Sequence, residues 1–178
     1  MQRICILLLA SVAAGSVFSI DSASRHTATV IFLPGNHGGE CYDLATIISK
    51  EIHHVRWVIS CSKNKLRHLK SGVSNVDSLG DFTEDTRYIQ ALIEKEHKRY
   101  NIPYNRIVLG GFDHGGSLSL WAGLQFPHTL GGIVCISGYL PRVNDFQESA
   151  SGRHTPVLHL HDESGNTVSD FFARVRRS

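Results

Sequence analysis

Little in this chain is lopsided, and what it lacks narrows the field first. Charge of one sign is not in excess: 18 Lys and Arg against 16 Asp and Glu leave a formal net charge of +2, too little to argue for nucleic acid or an acidic partner. No apolar run reaches the ~20 residues that a membrane-crossing helix needs, so no stable membrane span is expected. The cysteines, Cys5, Cys41, Cys61 and Cys135, match no zinc-ligand spacing. No repeat, low-complexity tract or linker interrupts the chain, so nothing marks an internal domain boundary. No N-x-S/T acceptor occurs, which neither supports nor excludes export.

What is present suits one ordinary domain. A length of 178 residues with 42% apolar residues allows a sizeable buried core. The N-terminus has the outline of a secretory leader: Arg3 supplies a positive charge, residues 4–14 are almost wholly apolar, and Ala13, Ala14, Gly15, Ser16 and Ser19 are small, the order such leaders follow. Residues 1–23 are therefore expected to be a cleaved signal peptide and residues 24–178 the domain, with the protein secreted or in the secretory lumen. The alternative is an N-terminus misassigned in gene prediction, which would leave the protein cytoplasmic. Export would permit one disulfide among Cys41, Cys61 and Cys135; the preferred reading makes all three small buried hydrophobes.

Strands and helices alternate along the rest. Thr27 to Leu33 is rich in β-branched residues and ends at Pro34-Gly35, a strand followed by a glycine loop. Residues 43–52 place Leu44, Ile47, Ile48 and Ile52 on one helical face. Val55 to Ser60 reads as a strand and residues 61–80 as a polar excursion. Thr83 reads as the N-cap of a helix with Glu84 and Asp85 in its first turn and Lys95, Lys98 and Arg99 near its end. Ile89, Leu92 and Ile93 form its buried stripe, and Asn101-Ile-Pro103 stops it. Residues 131–136 and 156–161 read as two more strands, and residues 168–177 as a closing helix with Phe171, Phe172 and Val175 inward. This order implies an α/β fold, a mainly parallel sheet with helices on both faces. Ligands of such sheets sit beyond the carboxyl ends of the strands.

One stretch organises the others: Arg106-Ile-Val-Leu-Gly-Gly-Phe-Asp-His-Gly-Gly-Ser-Leu-Ser-Leu-Trp121. An apolar strand runs into a glycine-rich turn and then a helix, the layout of a nucleophile elbow, G-x-S-x-G. Here the five residues are Gly111-Phe-Asp-His-Gly115, so the raised side chain is Asp113, a carboxylate in place of a hydroxyl.

That stretch, together with His26-Thr-Ala-Thr-Val-Ile-Phe-Leu33, Ser117 to Val134, Ser137-Gly-Tyr-Leu-Pro141 and Pro156-Val-Leu-His-Leu-His161, resembles the acyl-protein thioesterase family, the phospholipase/carboxylesterase group of α/β-hydrolases. The resemblance runs from Arg25 to Val168. It implies an α/β-hydrolase fold and a serine hydrolase acting on palmitoyl thioesters, lysophospholipids and short carboxylic esters, with no metal and no cofactor. It also implies backbone oxyanion donors at Asn36 and His114.

The departures fall where the resemblance puts the chemistry. Phe32-Leu-Pro-Gly-Asn-His-Gly38 stands for F-L-H-G-L-G-D, so a His has become Pro34. Asn75-Val-Asp77 stands for W-F-D, which removes an aromatic wall of the acyl pocket. His161-Asp-Glu-Ser-Gly-Asn-Thr-Val168 puts Gly165 at the acid position. The base lies in a later loop, and the chain ends at Ser178 before that loop, so the base position is absent. The expectation is a C-terminally shortened member, inactive as a serine hydrolase, that holds an acyl or lipid ligand or an acylated protein. Shortening would uncover apolar sheet surface and favour self-association.

The elbow also resembles that of haloalkane dehalogenases and epoxide hydrolases, in which an Asp attacks carbon. That alternative makes Asp113 a working nucleophile, but its ester needs a base for hydrolysis. A third reading is a truncated gene whose full transcript carries the missing His. His37 and His114 are read as solvated loop histidines, with the His114 ring directed away from Asp113. His159 and His161 share one face of a strand and are read as ordinary strand residues rather than metal ligands. Asp162 and Glu163 would gain nothing as substitute acids without a base, and Arg174, Arg176 and Arg177 are read as a solvated helix end.

Overall fold

The computed structural model describes residues 17–20, 26–34, 54–60 and 82–160. Its strands are β1 (Val17–Ile20), β2 (Ala28–Leu33), β3 (Val55–Ser60), β4 (Ile107–Phe112), β5 (Gly132–Ile136) and β6 (Val157–Leu160), and its helices α1 (Thr83–Tyr100) and α2 (His114–Leu124). Among the described residues the strands form one sheet in the order β1-β3-β2-β4-β5-β6. Every pairing from β3 to β6 is parallel, and β1 alone runs antiparallel, against β3.

β1 is a correction to the sequence reading. Val17–Ile20 fell in the expected leader, yet these residues pair in register with Trp57 to Ser60 on β3. The expected helix at 43–52, the excursion at 61–80, the closing helix at 168–177, and Cys41 and Cys61 lie outside the described residues.

Strand register divides the sheet into two faces. Thr29, Ile31 and Leu33 of β2 line up with Ile107, Leu109 and Gly111 of β4, and the first two with Arg56 and Val58 of β3. On this face Ile31, Leu33, Ile107 and Leu109 meet Ile89 and Ile93 of α1, Leu118 of α2 and Phe126, all essentially inaccessible. Each large aliphatic side chain buried this way contributes about 1.5–3 kcal/mol. The two helices pack against each other and against β2, so they share that face. On the opposite face Phe32, Trp57 and Ile59 are also buried.

α1 follows its sequence pattern, with Ile89, Leu92, Ile93 and Glu96 turned inward at the i, i+3, i+4, i+7 spacing of one helical stripe. Its start differs by one residue from expectation. Phe82 holds the N-cap position, with no side-chain cap bond, and sinks its ring against Trp121 at 5.1 Å. Core packing of an aromatic ring has taken a place that a polar cap would otherwise fill. The helix ends where expected: Asn101 adopts φ 55°, the left-handed stop that Asn tolerates.

Buried polarity is concentrated between β2, β3 and α1. Arg56 Nε lies 3.0 Å from Glu96 Oε2, with both side chains almost fully enclosed. Thr29 Oγ1 donates to the same oxygen at 3.4 Å, and the Arg56 guanidinium sits 4.4 Å from the centre of the Tyr100 ring. Cys135 on β5 is a buried free thiol, in keeping with its reading as a small hydrophobe. Burial pushes it up to about 12, the backbone bond at Gly138 pulling only partly the other way. Only the thiolate reacts. Cys135 is therefore expected to resist iodoacetamide at pH 8 in the native protein and to react fully in urea, as peptide mass mapping would read. Alkylation at the same rate in both states would contradict this packing.

Candidate active site

The elbow is built as its glycines require. β4 delivers the chain to the sheet's carboxyl edge, and α2 starts one residue later. Asp113, between them, has φ 53° and ψ −120°, a backbone state costly for any residue but glycine. It is held by three contacts. Its N–H donates to Ile136 O at 2.8 Å, and its carbonyl accepts from Ser117 N at 3.0 Å and from Ser117 Oγ at 3.4 Å. A Cβ on Gly111 would lie 2.3 Å from Gly115 backbone atoms, and one on Gly115 would lie 2.0 Å from Leu33 O. Nothing larger than glycine fits where strand, turn and helix meet.

The Asp113 side chain is 39% exposed and makes no cap bond to its own helix. It therefore stands at the rim as the sequence predicts. His114 does not behave as predicted. The residue is 5% exposed, its Nδ1 lies 3.9 Å from Asp113 Oδ2, and that nitrogen has no hydrogen-bond partner. The ring is neither solvated nor directed away from the carboxylate: the sharp turn at Asp113 draws consecutive side chains together instead of splaying them.

No serine of α2 takes over the missing role. Ser117 Oγ accepts from Tyr139 N at 3.1 Å besides its bond to Asp113 O, and Ser119 Oγ donates to Gly115 O at 2.8 Å. Both are fully buried. One hydroxyl at the rim was missed in the sequence. Ser137 follows β5 with φ 52°, is exposed, and stands beside the end of β4, where Phe112 pairs with Ile136. The Ser137-Gly138 pair directly after an apolar run was the available signal. His159 faces inward and spends its Nε2 on Gly138 O at 2.8 Å. Among the described residues no group of three or more His, Cys, Asp or Glu could hold a metal, and no helix is long and apolar enough to cross a membrane.

Asn36, His37, Asn75, Asp77, His161, Asp162, Glu163, Gly165 and the arginines at 174, 176 and 177 lie outside the described residues. The structure thus brings Asp113 and His114 together and adds Ser137 one strand away.

Comparison with known proteins gives a consistent answer. The profile of the phospholipase/carboxylesterase family matches residues 15–176. Acyl-protein thioesterase 1 of Yarrowia lipolytica is 30% identical over 179 aligned positions, covering 89% of this chain and 78% of that protein. Acyl-protein thioesterase 1 homolog 1 of Dictyostelium discoideum is 29% identical over 162, covering 82% and 72%. Among solved structures, esterase PE8 superposes with a TM-score of 0.72 at 18% identity, covering 92% of this chain and 83% of that one, a likeness of fold. The match begins at residue 15, β1 is hydrogen-bonded to β3 as an edge strand of the sheet, and the matched relatives are acyl-protein thioesterases. These findings overturn the expectation of a secreted or lumenal protein. The chain has the α/β-hydrolase fold and belongs to the phospholipase/carboxylesterase family.

Proposed function

We propose that this chain is a member of its family without serine-hydrolase turnover, whose site holds an aliphatic chain, of an acyl ligand or an acylated protein, without cleaving it. The observation that carries this reading is the carboxylate of Asp113 at the elbow's φ 53° position, where the chemistry needs a hydroxyl. A carboxylate attacking an ester would give a mixed anhydride. Its own charge would also sit beside the developing oxyanion and oppose its stabilisation. Among the described residues, Ser117 and Ser119 are turned inward and no histidine is hydrogen-bonded to the Ser137 hydroxyl, so none of these serines is an activated nucleophile.

The test is fluorophosphonate labelling of the full chain with site mapping, alongside turnover of p-nitrophenyl octanoate. The expected result is no labelled serine and no turnover above the heat-denatured protein. A label on any serine, Ser137 included, or turnover lost on Asp113→Asn, would sink the reading.

A further inference from the structure

The edge of the sheet opposite the elbow carries a pile of three rings. Tyr104, in the single helical turn Tyr104–Arg106 that leads into β4, has an imidazole stacked on each face. His97, in the last turn of α1, stacks with centroids 4.0 Å apart and planes 26° from parallel. His128, shortly beyond the end of α2, stacks with centroids 4.3 Å apart and planes 4° from parallel. Two rings cannot share one face at such separations, so the phenol is sandwiched. Phe126 closes the pile edge-on against Tyr104 and His128. Each member of the sandwich comes from a different segment, and together they tie the ends of both helices to the start of β4.

The chemistry of the pile responds to protons. The Tyr104 hydroxyl donates to Glu94 Oε1 at 2.8 Å, and Glu94 Oε2 lies 2.9 Å from Lys98 Nζ. The Lys98 bond first, then the Tyr104 bond, hold the Glu94 carboxyl below its usual range, with the His97 charge adding to them. Glu94 therefore stays anionic while histidines titrate. Desolvation, and then Glu94, push Tyr104 up to about 12, so its hydroxyl keeps its proton and remains a donor. A donor bonded to an anion is polarised, which enriches the ring faces that attract a cation. His97 Nδ1 lies 2.8 Å from Ile102 O, a carbonyl to which it must donate, so the proton that comes and goes on this ring is at Nε2.

We propose that the His97–Tyr104–His128 pile is a proton-operated brace: an imidazole that takes up a proton grips the phenol more tightly and fastens the ends of α1 and α2 to the start of β4. In the unfolded chain no ring is held against either imidazole, so proton uptake favours the folded state. The added stability grows as the pH falls through the range from about 8 to 5 in which histidine gains charge, and above that range only neutral stacking remains. Like charges oppose it: Lys98 and Arg99 on α1, Arg106 in the turn, and Arg153 and His154 on the segment that Thr129 holds through its bond to Ser151 O. Lys98 is engaged by Glu94, Arg153 lies 3.7 Å from Glu148 Oε1, and Arg99 sits 5.4 Å from the centre of the Tyr100 ring. Charges in water interact weakly and are screened over about 8 Å at physiological salt, so the contact at ring distance decides the sign.

Urea unfolding of the full chain at pH 5.5 and 7.5 tests this through a double-mutant cycle on Tyr104→Leu and His128→Asn, in which groups outside the pair cancel. The coupling between the two, read as a ratio of unfolding constants, is expected to be about two- to fivefold larger at pH 5.5, the range of an exposed cation–π contact. Coupling that is equal at the two pH values, or weaker at 5.5, would overturn the brace. Should the Tyr104→Leu chain not fold, His128→Asn against the parent carries the test. Its unfolding constant relative to the parent should rise by the same factor between pH 7.5 and 5.5, while that of His154→Asn, at an exposed histidine outside the pile, should not. Equal responses of these two variants would also overturn the proposal.

Discussion

Truncating Glu96 to alanine is expected to lower the free energy of unfolding by about 3–5 kcal/mol, the range for breaking one half of an enclosed ion pair. Arg56 and Glu96 retain 6% and 3% of their side-chain exposure at an Nε–Oε2 distance of 3.0 Å. The loss would remove the carboxylate that faces the guanidinium between β3 and α1, and Thr29 Oγ1 would lose the acceptor that it reaches at 3.4 Å. The face of Tyr100, 4.4 Å from the guanidinium, is a weaker partner: a ring quadrupole returns about 2 kcal/mol or somewhat more when desolvated. Replacing both partners, as in Arg56→Met with Glu96→Leu, is expected to recover most of the loss, because the desolvation cost of the charges disappears with them. Urea unfolding midpoints at a common slope would measure both. A single variant within about 1 kcal/mol of the parent, a typical surface effect, would show that the pair is not the buried unit described.

Gly115→Ala is expected to cost about 3 kcal/mol or more, at or beyond the upper end of overpacking penalties. Its added carbon would lie 2.0 Å from Leu33 O and 2.7 Å from Leu33 C. Those atoms belong to the backbone of β2, which is clamped between β3 and β4. No side chain can swing away, so either α2 lifts off the sheet or the turn opens. Gly132→Ala is the control, since its added carbon would meet nothing closer than Pro156 O at 3.5 Å. It should change stability by less than about 1 kcal/mol, the scale of a glycine replacement inside a strand. Equal effects of the two substitutions would mean that the turn is not packed as tightly as its geometry implies.

The elements that the sequence announces well are those whose information is local. β3 is found at Val55–Ser60, as the run of β-branched and apolar residues indicates, and β2 differs from its expected start by one residue. The elbow is legible because its glycines mark close approach of two backbones, a demand that no other residue type meets. β1 was illegible for the opposite reason. Four residues at an edge, inside an apolar N-terminal region, are a strand only because β3 offers them partners, and that information lies nearly forty residues away. His114 was misjudged because burial follows from how the turn at Asp113 aims the next side chain, and residue spacing does not encode that. Ser137 was overlooked because its exposure depends on where β5 ends relative to β4.

The direction of β1 has a practical side. Val17 pairs with Ser60 and Ile20 with Trp57, so the polypeptide arrives at β1 from the same edge of the sheet that carries Asp113. β1 and β4 are three places apart in the strand order, about 14 Å at the usual spacing. An affinity handle joined directly to Val17 would therefore begin on the edge of the sheet that carries Asp113. A polyhistidine handle left there would place its own imidazoles on that edge, and removing it before ligand titrations keeps the two signals apart.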